Sequence, residues 1–493
     1  MICISIAQES RRLALADMLN AARLGGDLLE VRLDCFEKAP DVGELLAVKP
    51  RPVIMSCRRV QDGGRWQGTE ADRLALLRQC LVSRADYVEI ELDVADQIRP
   101  FPPAQRVISY TNLRETPDHL ADIYAEAQTK RADVVKLVTL VRTPEEAWPL
   151  VQILAKPALP TVVVGLGKLG VMLNLLGKKV GAPWTYAALE RGMEAYPGQA
   201  TISDLKQVYH LDAVGRSTRF FGVAGLTELE FVSIAVLNAA LAQLGLPARC
   251  LPLAVGSLPL FRKVMAAVKL AGVAVDADHR EEMLTLADER EPLAERAGAV
   301  DLLLARDNRW HGYHTLSRAA LAALEAKLRE RYPGDRPLHG RIVVVVGTSG
   351  LARAVAYIVT KRGGLPVIAS RDKAAALTLA QELACRHAQY EAVYNLTHEV
   401  LIVCDEEKIE TATRTLDAGL HSGYLKPGIT VMDLTALPRR SPLLRDAEAR
   451  GCPVVAPTDV LLNQLTMQIQ LLTGKELPRD RLAEVLTAAL GEE

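Results

Sequence analysis

The sequence has few aromatic residues, no excess of either charge and no closely spaced pair of cysteines. Phe, Trp and Tyr make up only 4% of the 493 residues, so its cores must be built mainly from Leu, Val, Ile and Ala. The 59 basic and 60 acidic residues leave a net charge of −1, which gives no field to recruit nucleic acid or an anionic membrane. Eight scattered cysteines without a CxxC pair indicate reduced thiols rather than a disulfide framework or a zinc site.

Long apolar runs are also missing. No run is long enough to span a bilayer, and the opening "MICISIAQES" lacks the basic segment and long apolar run of a signal peptide. We therefore expect a cytoplasmic protein that acts on a small molecule and binds neither membrane nor nucleic acid. A chain of this length predicts two or three domains, and the oligomeric state stays open.

Short β-rich runs alternate with helix-length amphipathic segments over residues 1–215. The strand candidates are "ICISI", "LLEVRL", "PVIMSC", "YVEIEL", "RVISY", "VVKLVT", "TVVVG" and "WTYA". Eight such repeats predict an α/β fold of the (β/α)8 TIM-barrel type. A doubly wound open sheet is the alternative, but eight repeats in so short a stretch favour closure.

A second unit begins near Arg219 with the strand "FFGVAG" and the helix "EFVSIAVLNAALAQLGL". The polar stretch 327–341 contains Pro and Gly and predicts a linker. After it, "IVVVVGTSGLARAVAYIVTKRGGLPVIASRD" has the pattern of a strand, a glycine turn, a helix and a second strand, which opens a Rossmann-type domain. We expect domains at 1–215, 219–327 and 338–493, with the last helices packing back on the middle domain.

Charged side chains follow or interrupt the barrel strands, where a barrel enzyme keeps its chemistry. Glu30 and Arg32 are two residues apart and share one face of the second strand, and Arg58 follows the third. Lys136 lies inside the apolar run "ADVVKLVTL". Burial favours the neutral, nucleophilic form of a lysine amine, so Lys136 is a Schiff-base candidate. The alternative is that it only pairs with Glu30 or Glu89 inside the barrel.

The first domain resembles type I 3-dehydroquinate dehydratase, a barrel lyase. The resemblance lies in "EVRLD", "RRVQDGGRWQG", "ISYTNLRETP", "ADVVKL" and "YAALERGMEAYPGQATISDL". It implies that Lys136 forms an imine with a ketone, 3-dehydroquinate or a related acid. It also implies that Glu30, Arg32, Arg58 and Gln199 bind this substrate, without a cofactor or metal.

Two positions depart from that family's pattern. Thr111 stands where the family has a histidine, and loss of such an acid-base group typically costs about 10²- to 10⁴-fold in rate. Leu173 and Asn174 stand where a serine and a carboxylate-binding arginine are expected, a contact of about 1.5–3 kcal/mol. His119 is a possible substitute base, although its position predicts a surface side chain on a helix.

The second half resembles shikimate dehydrogenase, which is fused behind the dehydratase in plants and some bacteria. The resemblance implies that Ser233, Asn238 and Gln464 bind substrate. Phe231 replaces a serine that binds the substrate carboxylate, and we expect its ring to fill the pocket.

The lysine and aspartate that manage the hydroxyl proton in that family are both replaced. Arg280 stands for the lysine and stays protonated near neutral pH, while Leu316 stands for the aspartate. Asp301 and His314 replace two asparagines, and we expect Asp301 to repel an anionic substrate from the pocket. These changes predict an inactive dehydrogenase half.

The cofactor segment is closer to the family's pattern. "GTSGLARA" follows a strand and opens a helix, so its amides are expected to hold the pyrophosphate of NADP. After the next strand, "ASRDK" resembles the segment whose arginine holds the 2′-phosphate. The candidate cofactor residues are Gly347, Ser349, Gly350, Arg353, Ser370, Arg371 and Lys373. The alternative is a nucleotide-binding fold kept only as a scaffold.

Three functions follow from these observations. In the first, the chain is a bifunctional shikimate-pathway enzyme. In the second, only its barrel keeps a Schiff-base activity through Lys136. In the third, it is a pseudoenzyme that acts as a sensor or scaffold and binds NADP(H), a shikimate-like acid, or neither.

Overall fold

The computed structural model describes residues 1–38, 41–405, 409–411, 414–416 and 420–491. The chain divides into two compact units, Met1–Gly222 with Leu241–Leu270 and Val223–Ala240 with Ala271–Glu493. Within the described ranges, no helix is long and apolar enough to cross a membrane.

Eight parallel strands form the sheet of the first unit. They are β1 (Ile2–Ile6), β2 (Leu28–Arg32), β3 (Val53–Ser56), β4 (Tyr87–Glu91), β5 (Gln105–Asn112), β6 (Val134–Leu140), β7 (Thr161–Leu166) and β8 (Thr185–Ala187). Hydrogen bonds connect them in the order β7-β6-β5-β4-β3-β2-β1-β8, so the sheet curls into a nearly closed barrel. Every strand predicted for the barrel is present, and the predicted fold is confirmed.

Helices alternate with these strands as the amphipathic segments predict. They are α1 (Arg11–Arg23), α2 (Val42–Ala47), α3 (Glu70–Val82), α4 (Leu120–Thr129), α5 (Pro144–Ala155) and α6 (Gly170–Val180). Ser10, Thr69 and Thr143 cap α1, α3 and α5, since each side chain accepts a backbone N–H of the first turn. After each helix, a short loop returns the chain to the next strand.

The inside of the barrel is packed with apolar side chains that alternate along the strands. One cluster is built from Cys3, Leu28, Ile54, Val107, Val134, Val138, Val162, Val164, Trp184 and Tyr186. Trp184 packs edge-on against Tyr87, with 5.2 Å between ring centroids. The same alternation places Glu30, Glu89 and Lys136 on the inner face.

A mixed sheet of six strands follows the barrel. Its strands are β9 (Arg219–Ala224), β10 (Ala248–Leu253), β11 (Leu270–Ala274), β12 (Glu289–Arg290), β13 (Leu302–Arg306) and β14 (Arg309–Tyr313), in the order β10-β9-β11-β13-β14-β12. Its helices are α7 (Glu228–Gln243), α8 (Leu258–Val268), α9 (Arg280–Met283), α10 (Pro292–Ala297) and α11 (Leu316–Arg331). Because α11 continues to Arg331, residues 327–331 are helical and the linker predicted to start at 327 begins later.

A parallel five-stranded sheet forms the Rossmann-type part of the second unit, as predicted. The remaining strands are β15 (Ile342–Val346), β16 (Leu365–Ser370), β17 (Arg386–Gln389), β18 (Val400–Val403), β19 (Ile409–Thr411), β20 (Arg414–Leu416) and β21 (Thr430–Asp433). The sheet order is β17-β16-β15-β18-β21, and β19 pairs with β20 separately. The helices are α12 (Gly350–Lys361), α13 (Lys373–Glu382), α14 (Pro442–Ala449), α15 (Pro457–Thr473) and α16 (Arg479–Leu490). Helix α15 packs against α11.

Asp34, just beyond β2, fixes the loop that follows β3. Its carboxylate accepts two bonds from Arg32, at 2.9 and 2.7 Å, and backbone N–H bonds from Arg58 and Arg65 at 3.1 and 2.8 Å. The loop can close this tightly because residue 64 is glycine, where a Cβ would lie 2.0 Å from the Arg58 carbonyl oxygen. Burial opposes ionisation of Asp34, but the bonds from Arg32 and the two N–H groups hold its pKa below the ordinary value.

Asp34→Asn therefore tests how this loop is held. A carboxyl with a lowered folded-state pKa stabilises the fold above its unfolded pKa, and this contribution is lost as the pH falls through the folded value. We expect the free energy of unfolding to fall by about 2–4 kcal/mol at neutral pH. The difference from wild type should shrink below about pH 4 in urea denaturation.

The matched control is Asp118→Asn, which removes an exposed carboxylate from the same unit. It should change stability by less than about 0.5 kcal/mol. An equal loss for Asp34→Asn at neutral and acidic pH would contradict the electrostatic account of this loop.

Candidate active site

Lys136 is the centre of the polar cluster inside the barrel and is only 1% exposed. Its Nζ donates a 2.8 Å hydrogen bond to Glu89 Oε2 and lies 3.7 Å from Glu30 Oε2. The same nitrogen lies 4.4 Å from the centroid of the Tyr186 ring. Both pairings considered from the sequence are therefore present, with carboxylates from β2 and β4 on either side of the amine.

Glu30 is fully buried and its carboxylate is saturated by donors. Ser56 Oγ and Ser5 Oγ each donate to it at 2.9 Å, and Arg58 Nη2 pairs with it. Burial alone would raise the pKa of Glu30, but Arg58 and Lys136 hold it well below the usual value. Glu30 is therefore a fixed anion.

Arg58 links the two carboxylates from the mouth of the barrel. Its Nη2 pairs with Glu30 and lies 3.7 Å from Glu89 Oε2. Burial would lower the pKa of Arg58, but the two carboxylates raise it. Together with Lys136, the cluster thus has two acidic and two basic side chains, and the Arg58 Nε–H is a buried donor without an acceptor among the described residues.

The other two predicted substrate-binding residues of the barrel are also held in place. Arg32 is paired with Asp34, and its Nη2 also donates to the Gly63 carbonyl at 3.3 Å. Gln199 is 8% exposed, and its Oε1 accepts the Ala195 N–H at 2.8 Å. Arg32 is therefore fixed at the C-terminal end of β2, and Gln199 is fixed in the segment that follows β8.

Thr111 lies on the lumen face of β5, one layer closer to the barrel mouth than Lys136. In the register of β5 and β6, Ser109 is opposite Lys136 and Thr111 is opposite Val138. A half-open cleft of about 380 Å³ lies beside this layer. Its lining residues are Arg59, Gln61, Asp62, Glu91, Leu92, Asp93, Ser109, Tyr110, Thr111, His119, Ile123 and Glu126.

His119 is exposed just before α4, as the sequence predicts, yet it borders the same cleft as Thr111. Lys136 does not line this cleft. The imidazole thus reaches the space beside the lumen but has no contact with the amine itself.

Leu173 and Asn174 occupy the place predicted for a serine and arginine, on the inner side of α6. Leu173 is 1% exposed and packs so closely on Gly165 that a Cβ there would lie 2.6 Å from Leu173 Cδ1. Asn174 Nδ2 donates to the Tyr186 carbonyl at 3.3 Å. Neither residue offers a positive charge for a substrate carboxylate.

Several members of this site were not singled out from the sequence. Ser5 and Ser56 share the period-two position of the lumen residues, and this signal was available. Tyr186 stands in the short strand candidate "WTYA" with the same signal. Asp34 lies within the motif "EVRLD", but its role in holding a distant loop needs the three-dimensional structure.

In the second unit, Ser233, Arg280 and Gln464 line one small cavity. Its volume is about 40 Å³, far below the roughly 300 Å³ at which pockets for small molecules begin. Ser233 Oγ donates to a carbonyl of its own helix at 2.7 Å. Asn238 is fully buried and Phe231 is half-buried, and neither lines this cavity, although the Phe231 ring was expected to fill it.

Asp301 was expected to face this cavity and repel an anion, and that expectation is wrong. Its carboxylate accepts the Thr315 N–H and Oγ1 hydrogens at 2.7 and 2.8 Å and the Leu316 N–H at 2.6 Å. Asp301 is therefore an acceptor for the first turn of α11 and is 1% exposed. Leu316 is a core residue, and His314 Nδ1 lies 2.9 Å from Ser317 Oγ.

The backbone N–H groups of the glycine turn before α12 donate hydrogen bonds to carboxylates of the same chain. Thr348 and Ser349 donate backbone N–H bonds to Asp405 Oδ2 at 2.7 and 2.8 Å. Gly350 donates its N–H to Glu281 Oε1 at 3.0 Å. These are the amides expected to hold the pyrophosphate of NADP, so the residues in this arrangement do not fit that group.

The remaining predicted cofactor residues surround this turn. Arg353 Nη1 donates to the last carbonyl of α10 at 3.1 Å. The Arg371 guanidinium stacks over the Tyr390 ring at 4.2 Å from its centroid. Ser370 Oγ accepts a backbone N–H two residues on at 3.1 Å, and Lys373 is exposed at the start of α13.

Comparisons with known proteins cover both halves of the chain. A family model described as Type I 3-dehydroquinase matches residues 2–216. The chain is 32% identical over 199 residues to a 3-dehydroquinate dehydratase of Methanopyrus kandleri, which covers 39% of this chain and 91% of that protein. It is 26% identical over 279 residues to a shikimate dehydrogenase (NADP(+)) of Syntrophobacter fumaroxidans, covering 56% of this chain and 94% of that protein.

A further relative spans nearly the whole chain. It is the bifunctional 3-dehydroquinate dehydratase/shikimate dehydrogenase, chloroplastic, of Arabidopsis thaliana, 27% identical over 509 residues. The match covers 99% of this chain and 84% of that protein. Because the chain is 32% identical to the Methanopyrus kandleri 3-dehydroquinate dehydratase over 91% of that protein, and the family model matches residues 2–216, the chain belongs to the type I 3-dehydroquinase family.

Proposed function

We propose that this chain is a shikimate-pathway protein whose barrel forms an imine between Lys136 and the ketone of 3-dehydroquinate or a closely related acid. The observation that carries the proposal is the buried Lys136 amine, 2.8 Å from a carboxylate that can take its proton. The similarity to 3-dehydroquinate dehydratases supports the choice of substrate. The second half is proposed to have lost the reductase reaction.

The attack on the ketone needs a neutral amine, and the two carboxylates beside Lys136 differ in what they offer. Glu89 Oε2 is in direct hydrogen-bond contact with Nζ, which is the geometry for proton transfer between them. Glu30 is held as an anion by Arg58 and two serine hydroxyls, so it stabilises positive charge on the nitrogen. We therefore assign Glu89 to proton transfer and Glu30 to charge stabilisation of the protonated imine.

Arg58 is the group best placed to bind a polar atom of the substrate. Its buried Nε–H lacks an acceptor among the described residues, and the arginine is locked by Glu30. A hydroxyl or carboxylate oxygen of a cyclic acid would satisfy this donor, and burial makes such a bond strong. Gln199 and Arg32 are proposed to line the same ligand, Gln199 from the segment after β8 and Arg32 from the end of β2.

The steps after imine formation are proposed to be slow. The Thr111 hydroxyl is too weak a base to accept a proton near neutral pH, so it does not replace an imidazole as a general acid-base group. Asn174 supplies no positive charge for the substrate carboxylate, and it is bonded to a backbone carbonyl instead. We expect turnover roughly 10²- to 10⁴-fold below that of a barrel with the histidine.

A barrel that only binds its ligand is the second candidate. It is favoured by Thr111 and Asn174, because they supply neither acid-base help nor a positive charge for the substrate carboxylate, while the binding residues are kept. The second half lacks the proton-handling pair at Arg280 and Leu316, and its cavity of about 40 Å³ is far smaller than usual pockets for small molecules. Trapping of an imine separates the two candidates.

Borohydride reduction in the presence of 3-dehydroquinate should attach the reduced ligand covalently to Lys136. The adduct should appear as a mass increment on the peptide that contains this residue. Lys136→Arg keeps the positive charge between Glu30 and Glu89 but cannot form an imine, so it should show no adduct. Lys130→Met, which removes a lysine outside the lumen, should leave the adduct unchanged. A folded wild-type protein without any adduct would contradict imine formation.

Thr111→His should restore acid-base help beside the amine and raise kcat for dehydration by about 10²- to 10⁴-fold. Thr111→Val, which has the same shape without the hydroxyl, should leave the rate unchanged. Adding Leu173→Ser and Asn174→Arg should lower KM, because an arginine there supplies the missing charge for the carboxylate. If the triple variant gains no activity in a spectrophotometric assay, the pocket differs from that of an active dehydratase at more positions than these three.

A further inference from the structure

The turn before α12 begins at Gly347 and ends at Gly350, and the chain's own atoms leave no space for a side chain at either position. Gly347 has φ +121°, and a Cβ there would lie 2.4 Å from Asp405 Oδ2. A Cβ on Gly350 would lie 2.6 Å from Ala299 Cβ and 3.0 Å from the Ala297 carbonyl oxygen. In a dinucleotide-binding turn, glycines keep such space free so that a pyrophosphate can approach the backbone. Here a carboxylate and residues 297–299 fill that space.

The amides of the turn are likewise directed at carboxylates. Asp405 Oδ2 accepts the N–H groups of Thr348 and Ser349, and the Ser349 hydroxyl donates to the other oxygen of the same carboxylate. Glu281 accepts the N–H of Gly350, the first residue of α12. The start of a helix favours negative charge through its exposed N–H groups and dipole. The two carboxylates thus satisfy the donors that a phosphate would satisfy.

We propose that Asp405 and Glu281 act as internal phosphate mimics that close the glycine turn against a dinucleotide. A pyrophosphate would have to displace both carboxylates from their N–H donors. It would then remain next to two negative charges that repel it. The turn keeps its glycine pattern because Asp405 and residues 297–299 need that space, so the pattern persists without a bound nucleotide. This inference is independent of the imine chemistry proposed for the barrel.

The full-length chain with Asp405→Ala and Glu281→Ala tests this proposal. Titration with NADPH, followed by its fluorescence, should show no saturation for wild type up to about 1 mM. The double variant should bind NADPH at least about tenfold more tightly, because two competing acceptors are gone. Inorganic pyrophosphate should raise the melting temperature of the double variant and leave that of wild type unchanged.

Two further variants keep the test clear of folding defects and general charge effects. Asp405→Asn retains an oxygen for the two N–H groups but removes the charge, so it should preserve the turn and bind NADPH more tightly than wild type. Asp446→Asn removes an exposed carboxylate elsewhere in the same unit and should bind as wild type does. Tight NADPH binding by wild type, unimproved in the Asp405 variants, would overturn the proposal. A folded double variant that binds neither pyrophosphate nor NADPH would overturn it as well.

Discussion

The buried arrangement of Glu30, Glu89, Arg58 and Lys136 is the constraint on which the barrel depends. Charges removed from water are tolerated only when each has a partner, and loss of one partner typically costs about 3–5 kcal/mol. Each of these four side chains contacts at least one of opposite sign. The four side chains therefore stabilise one another within the fold, independently of the imine chemistry proposed for Lys136.

The two halves differ in what their buried carboxylates bind, although each keeps an arginine Nε without an acceptor among the described residues, Arg58 in the barrel and Arg280 in the second unit. In the barrel, Glu30 and Glu89 pair with Arg58 and Lys136. In the second unit, Asp301 is used by the first turn of α11, and Asp405 by the turn before α12. The barrel carboxylates thus serve basic side chains of the cluster, whereas those of the second unit complete its own backbone.

Much of the fold was predictable because strand alternation and helix capping are local properties. The eight barrel strands and the glycine turn follow from short stretches, and the apolar surroundings of Lys136 reveal a buried charge. The partners that the turn amides and the buried lysine meet in the fold come from residues distant in the chain. The sequence shows that the turn at Gly347 exposes amides, but only the fold shows that Asp405 meets them. The misplacement of Asp301 has the same origin, since a carboxylate beside a pocket and one at a helix start look alike in sequence.

The most direct measurement of the central claim is exchange of the ketone oxygen of 3-dehydroquinate with oxygen-18 water. Each reversible cycle of imine formation and hydrolysis at Lys136 replaces that oxygen, whether or not dehydration follows. We predict exchange well above the spontaneous rate with the wild-type chain, and none above it with Lys136→Arg. Exchange at the spontaneous rate with a folded wild-type chain, or equal exchange in the variant, would contradict the claim that Lys136 forms an imine.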